Sequence, residues 1–248
     1  MKTLVIVTHP NIHESKVSKT WVQMLRQHPD RFTVHELYSE YPDGVIDVAR
    51  EQALVEEHQN IVLQFPVYWF NCPPLLKQWC DDVLTYGWAY GSKGKAFKNK
   101  KLGIAVSLGA PASEYSAEGS VGYTVAETLR PFELTANYIS ANYQPLFTFH
   151  TIDTYESYDE AAAQLVADSA GDYLAHLNTY YAQQQPVRPA RAGKTRKSSW
   201  GRGLGERAEV PQEYRQPHEQ AVRQRHNTGL FQHGDEVFAG APRKHRHA

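Results

Sequence analysis

The chain has 248 residues, a formal net charge of −1, 41% hydrophobic and 21% charged residues. That balance belongs to a soluble globular protein, and without a run of about 18 apolar residues no membrane span is expected. Two cysteines, Cys72 and Cys80, lack metal-ligand spacing and suit a reduced, cytoplasmic protein rather than a disulfide scaffold.

The opening MKTLVIVTHP has one lysine and a short apolar run, loosely like a signal peptide. The run stops at His9-Pro10 without small residues for cleavage, so Leu4 to Val7 is read as a buried core strand. A helix follows, with Val17, Trp21, Met24 and Leu25 on one face. Phe32 to Leu37 alternates as a second strand, Val45 to His58 predicts a helix, and Ile61 to Phe65 is the third strand. Pro73-Pro74 can open the next helix, because proline is tolerated in a first turn. Its apolar stripe is Leu75, Leu76, Trp79, Cys80, Val83 and Leu84.

Leu102 to Ser107 reads as the fourth strand. A helical stretch from about Gly122 to Ile139, interrupted by Pro131, precedes a fifth strand over Tyr143 to Phe149. The last helix gathers Val166, Ala170, Tyr173, Leu174, Leu177 and Tyr181 on one side. Five β-α units with continuous apolar strands predict a doubly wound α/β domain, a five-stranded parallel sheet in the order 2-1-3-4-5 with helices on both faces.

The texture changes near Gln185. Pro186 to Ala248 carries thirteen Lys/Arg against six Asp/Glu, a formal +7, which leaves −8 on the rest. The segment is rich in Arg, Gly, Pro, Gln and His, with no periodic apolar face to offset the entropy of ordering it. The expected organisation is a domain over 1–185 and a basic, disordered tail over 186–248. Basic runs can bind nucleic acid, but the tail's aromatics Trp200, Tyr214, Phe231 and Phe238 are dispersed, so no nucleic-acid partner is expected. The terminal RKHRHA offers two histidines in a basic setting, too weak a donor set for a metal site.

In a sheet of this order ligands bind beyond the carboxyl ends of the strands, at the switch point between strands 1 and 3. The loops there read THPNIHESKVSK, PVYWFN and SLGAPASEY. The first leads into a helix whose amino end offers unpaired N–H groups, with Ser15, Ser18, Lys16 and His9 to hold a phosphate monoester. An ordinary serine cap would look the same. It has neither a dinucleotide glycine fingerprint nor a Walker sequence, which disfavours nucleotide hydrolysis. In the second, Tyr68, Trp69 and Phe70 form either a wall for a planar ring or a hydrophobic corner closing the sheet. Gly109 in the third allows close approach to a ring edge. Together these describe a flavin mononucleotide site.

THPNIHESKVSK, FPVYWFNCPPLLKQWCDDVL, YGWAYG and GKAFKNKKL resemble the NAD(P)H:quinone oxidoreductase family of flavodoxin-like enzymes. The likeness spans Met1 to about Gln185 and includes the short bacterial members and the ancillary proteins of glutathione-gated potassium efflux systems. It implies a flavodoxin-like fold, FMN rather than FAD given the short body, NAD(P)H as co-substrate, and ping-pong hydride transfer through the flavin to a quinone. It also implies a homodimer in the cytoplasm. By resemblance His9, Ser15, Lys16, Val17 and Ser18 fall on the phosphate loop. Pro66, Val67, Tyr68, Trp69 and Phe70 fall on the first ring loop, and Ser107, Leu108, Gly109 and Ala110 on the second. Tyr115 takes the place of a catalytic tyrosine near the flavin carbonyl.

Two departures stand out. The family's Thr-Thr-Gly-Gly is here Ser107-Leu108-Gly109-Ala110, and the histidine some members carry beyond the tyrosine is replaced by Val121 or a neighbour. The resemblance leaves a competing function open, a regulatory subunit docked peripherally on a potassium efflux transporter at the inner membrane face. A small electron-transfer flavodoxin fits less well, because its Gly- and Thr-rich phosphate loop is absent.

Overall fold

The computed structural model describes residues 2–150 and 158–181. The boundary expected at Gln185 and the basic tail lie outside the described residues. Strand β1 (Thr3–Val7) leads to α1 (Val17–Arg26), β2 (Phe32–Glu36), a short α2 (Leu37–Glu40), α3 (Val48–Glu56) and β3 (Asn60–Pro66). Then come α4 (Pro74–Val83), β4 (Lys101–Ser107), a 3-10 turn (Ala112–Glu114), α5 (Val125–Thr128), α6 (Arg130–Tyr138), β5 (Asn142–Tyr143), β6 (Phe147–Phe149) and α7 (Glu160–Tyr180). The strands pair in parallel in the order β2-β1-β3-β4-β5, with β6 also on β4. This is the expected doubly wound sheet.

Successive strand residues point to opposite faces. Leu4, Ile6, Ile61, Leu63, Phe65, Ile104 and Val106 join the core beneath α3, α4 and α6, whereas Val5, Val7, Val62 and Ala105 join the one beneath α1 and α7. With both faces covered, the strands need unbroken apolar runs rather than alternation. On the first face Glu51 is fully buried and tied down. Its carboxylate accepts from the Tyr41 hydroxyl (2.6 Å), the Trp79 indole (2.8 Å) and His35 Nε2 (2.8 Å). Burial alone would push this carboxyl up, but the His35 charge and the three hydrogen bonds outweigh it and hold Glu51 below its ordinary value. The knot joins α3 to β2, to the end of α2 and to α4.

On the other face Trp21 of α1 donates its indole N–H to Ser169 Oγ of α7 (2.9 Å) and packs against the Tyr173 ring, 4.8 Å between centroids. The far end of α7 is pinned at the amino ends of β3 and β4. There Asn60 Nδ2 donates to the Tyr181 carbonyl (2.8 Å) and Lys101 Nζ to the Tyr180 carbonyl (2.6 Å). Gly103 of β4 makes this possible, since a Cβ there would lie 1.9 Å from the Tyr181 hydroxyl oxygen.

Two expected elements are divided. The single strand over Tyr143 to Phe149 is β5 and β6, interrupted around Pro145, which has no N–H to give the ladder. Gln144 still donates to the Leu102 carbonyl (2.8 Å), and pairing resumes where Phe147 meets Ala105. The helical stretch before it breaks at Leu129, so that Pro131 falls in the first turn of α6, where a missing N–H costs nothing.

Candidate functional site

The loops after β1, β3 and β4 converge on a cleft of about 440 Å³. His9, Asn11, Glu14, Ser15, Lys16 and Val17 line it from the first loop, Pro66, Val67 and Tyr68 from the second, and Ser107, Leu108 and Gly109 from the third. Tyr158, just before α7, completes the lining. The cleft sits where β2 and β3 flank β1, the switch point of the sheet. Of the residues expected from sequence, Ser18, Trp69, Phe70, Ala110 and Tyr115 are not among its lining.

At the first loop, Lys16 occupies the N-cap position of α1. The Ser15 hydroxyl accepts from the Ser18 amide (3.0 Å), so it caps the helix, and Ser18 itself is buried. No acidic residue lies in the first turn of α1, so its positive end is left to a ligand. The Lys16 ammonium stands 5.1 Å from the Tyr158 ring centroid. His9 Nδ1 accepts from the Asn11 amide (3.1 Å), and burial lowers the pKa of the imidazole. Neutral His9 therefore carries its proton on Nε2, a donor.

The second loop departs from expectation. Tyr68 and Asn71 exchange both backbone hydrogen bonds (2.8 and 3.0 Å) around Trp69 (φ 49°) and Phe70 (φ 61°). Two successive left-handed residues make a primed two-residue turn, usually built with Asn or Gly. Each left-handed non-glycine residue costs roughly 1–2 kcal/mol. The turn swings both side chains outward: Trp69 is 93% exposed and Phe70 51%. Trp69 is thus neither a wall of the cleft nor a buried corner; the wall is Pro66, Val67 and Tyr68, and the buried aromatic is Phe65. No glycine in the sequence announced this turn.

The third loop is bound to its neighbours through Val67 N–H to the Ser107 carbonyl and Leu108 N–H to the Phe149 carbonyl, both 2.9 Å. Ala110 has no left-handed backbone, so the missing glycine is harmless there. Its carbonyl accepts from His150 Nδ1 (3.1 Å), and the His150 ring meets Tyr115 edge-on, 6.0 Å between centroids. Tyr115 packs against the larger core. Burial, with the Glu114 carboxylate beside it, pushes its phenol up, so it stays protonated at neutral pH.

The donor set suits a phosphorylated planar ring. A cation and a helix start capped at the Ser18 amide by Ser15 lie at one end, and Pro66, Val67, Leu108 and Gly109 supply small or apolar walls. The amides of Trp69, Phe70, Gly109 and Ala110 have no backbone acceptor among the described residues. At the carboxyl ends of β1 and β3, buried Thr8 Oγ1 and both amide atoms of Gln64 also lack partners among the described residues, which calls for water or a polar ligand group. The additional lining residues Asn11 and Glu14 belong to the loop singled out from sequence; Tyr158 gave no signal, because it lies far along the chain.

Comparison with known proteins agrees with this geometry. A family model described as flavodoxin-like fold matches residues 1–177. Over 148 residues the chain is 55% identical to the uncharacterized NAD(P)H oxidoreductase YrkL of Bacillus subtilis (strain 168), covering 60% of this chain and 84% of that protein. It is 36% identical over 179 residues to the glutathione-regulated potassium-efflux system ancillary protein KefG of Salmonella paratyphi C, covering 69% and 97%. Among solved structures, general stress protein 14 of Treponema denticola in complex with FMN is 64% identical, with a TM-score of 0.69 over 72% of this chain and 99% of that one. An NADPH-quinone reductase from P. pentosaceus is 31% identical, with a TM-score of 0.59 over 69% and 97%. The chain belongs to the flavodoxin-like family, the group of NAD(P)H oxidoreductases and potassium-efflux ancillary proteins that its motifs resemble.

Proposed function

We propose that the chain is an FMN-dependent NAD(P)H:quinone oxidoreductase that works by ping-pong hydride transfer in the cytoplasm, as a homodimer. The observation that carries this reading is the meeting of a cation-bearing helix start with two closely packed loops at one switch point. The 64% identity to a protein solved with FMN supports the cofactor, and the likeness to an NADPH-quinone reductase supports the acceptor class.

In this reading Lys16 and the first amides of α1 hold the phosphate, with neutral His9 donating from Nε2. Pro66, Val67, Tyr68, Ser107, Leu108 and Gly109 clamp the ring, and the amides of Trp69, Phe70 and Ala110 donate to its polar edge. Bound FMN would supply two-electron chemistry; the protein orients and tunes it. Tyr115 keeps its proton on Oη and offers a hydrogen bond to the ring side of the third loop. The exposed Trp69 and Phe70 side chains border the mouth through which nicotinamide and quinone exchange. Residues 1–185 would carry all of this, with 186–248 dispensable.

The test is direct. Purified full-length protein should be yellow, bleach anaerobically with NADPH, and regain its colour with menadione. Colourless protein that takes up no added FMN would refute the reading. Similarity along 97% of KefG favours a second one, a flavin-bearing accessory subunit at a potassium efflux transporter. Slow quinone turnover together with stimulation of potassium efflux in vesicles containing the transporter would favour it over the first.

A further inference from the structure

We infer that Tyr158 is a selectivity residue that closes the anion end of the cleft and makes the site choose a flavin mononucleotide over the dinucleotide. The inference rests on the proposed FMN reading. The anion end is marked by Lys16 at the start of α1, and the Tyr158 ring lies over the Lys16 ammonium at 5.1 Å. Tyr158 itself lines the cleft and is 41% exposed, so its ring forms part of the wall rather than of the core.

Its position is fixed from behind. The next residue, Asp159, caps α7 by accepting the Ala162 amide (2.8 Å). Helix α7 in turn is locked to α1 through Trp21, Ser169 and Tyr173. The ring is therefore held on the wall of the cleft beside the start of α1.

The chemistry of the two flavins differs at this point. A mononucleotide ends in a phosphomonoester, which one lysine and a helix start can match. A dinucleotide continues through a second phosphate into ribose and adenine, and needs an open passage there. We place Tyr158 across that passage because its ring lines the cleft and lies against Lys16 at the anion end. An aromatic ring over an ammonium is itself attractive, which holds Lys16 and Tyr158 together as one barrier.

The experiment compares dissociation constants of FMN and FAD for full-length apoprotein, read by quenching of flavin fluorescence. Wild type should prefer FMN. Tyr158→Phe, which keeps the ring, should retain that preference. Tyr158→Ala should lower the ratio of the FAD to the FMN constant by about tenfold or more, equivalent to about 1.4 kcal/mol, with the apoprotein melting temperature unchanged. An unchanged ratio in Tyr158→Ala, or a wild type that binds FAD as tightly as FMN, would overturn the inference while leaving flavin binding intact. Wild type that binds neither flavin would instead overturn the reading beneath it.

Discussion

The loops after β1 and β3 reach the same cleft by opposite means. The first contributes side chains in ordinary backbone geometry: Ser15 caps a helix, Lys16 supplies charge, and His9 is oriented by a local hydrogen bond. The second contributes mainly backbone, bent through two left-handed residues that expose their own aromatic rings. One loop is therefore sensitive to what its side chains are, and the other to what conformations its residues tolerate. Chemistry-bearing residues are readable as such; a strained turn without glycine is not.

That contrast can be tested from its strongest consequence downward. Lys16→Ala removes a charge-assisted contact worth roughly 1.5–3 kcal/mol, so FMN affinity measured by titration should fall about tenfold to a hundredfold. Unchanged affinity would make Lys16 a solvated helix residue. The second loop should respond in the opposite sense. Replacing Trp69 and Phe70 together by Asn and Gly suits the primed turn and should raise stability by about 1–2 kcal/mol, or several degrees in melting temperature. Quinone reduction should slow at the same time, as the aromatic mouth is lost. A melting point that dropped instead would mean the two rings are buried in the working protein.

Ser15→Ala should cost about 1 kcal/mol of stability, the usual loss for a helix cap, with less effect on FMN affinity than Lys16→Ala. A pH titration separates the loops further. His9 has an ordinary pKa of 6.5 and a lower one in the fold. Its folded form thus binds fewer protons than its unfolded form, so the stability it permits is complete above 6.5 and fades as pH falls through the lowered value. Denaturant midpoints of the apoprotein should show this decline, and His9→Gln should flatten it. The smallest effect expected is none: ending the chain after Gln185 should leave flavin content and quinone reduction unaltered.

Much of the fold was legible because the central strands are covered on both faces and announce themselves as apolar runs, as in Leu4 to Val7, while the edge strand β2 showed as alternation. Helix α4 was legible from Pro73-Pro74 and its stripe. The break between β5 and β6 was not, since Phe147 to Phe149 kept the apolar pattern across Pro145. In the site, the side-chain loop was readable at His9, Ser15, Lys16 and Val17, whereas Asn11 and Glu14 were not singled out within the quoted stretch and Ser18 turned inward. Trp69 and Phe70 were misplaced because aromatic character suggests a wall, whereas φ decides where the ring points. Tyr158 and the approach of His150 to Tyr115 depend on chain segments brought together only by the folded sheet, which no local pattern encodes.

The pinning of α7 at Asn60, Lys101 and Gly103 gives the molecule a polarity useful to anyone who wants to anchor it. Its 21 residues span about 30 Å at 1.5 Å per residue, from the mouth beside Tyr158 to the opposite rim of the sheet. A tether attached at the exposed Tyr180, to a bead or an electrode, would hold the protein by that far rim. The cleft would face the solution, open to diffusing electron carriers and shielded from the support by the full depth of the sheet.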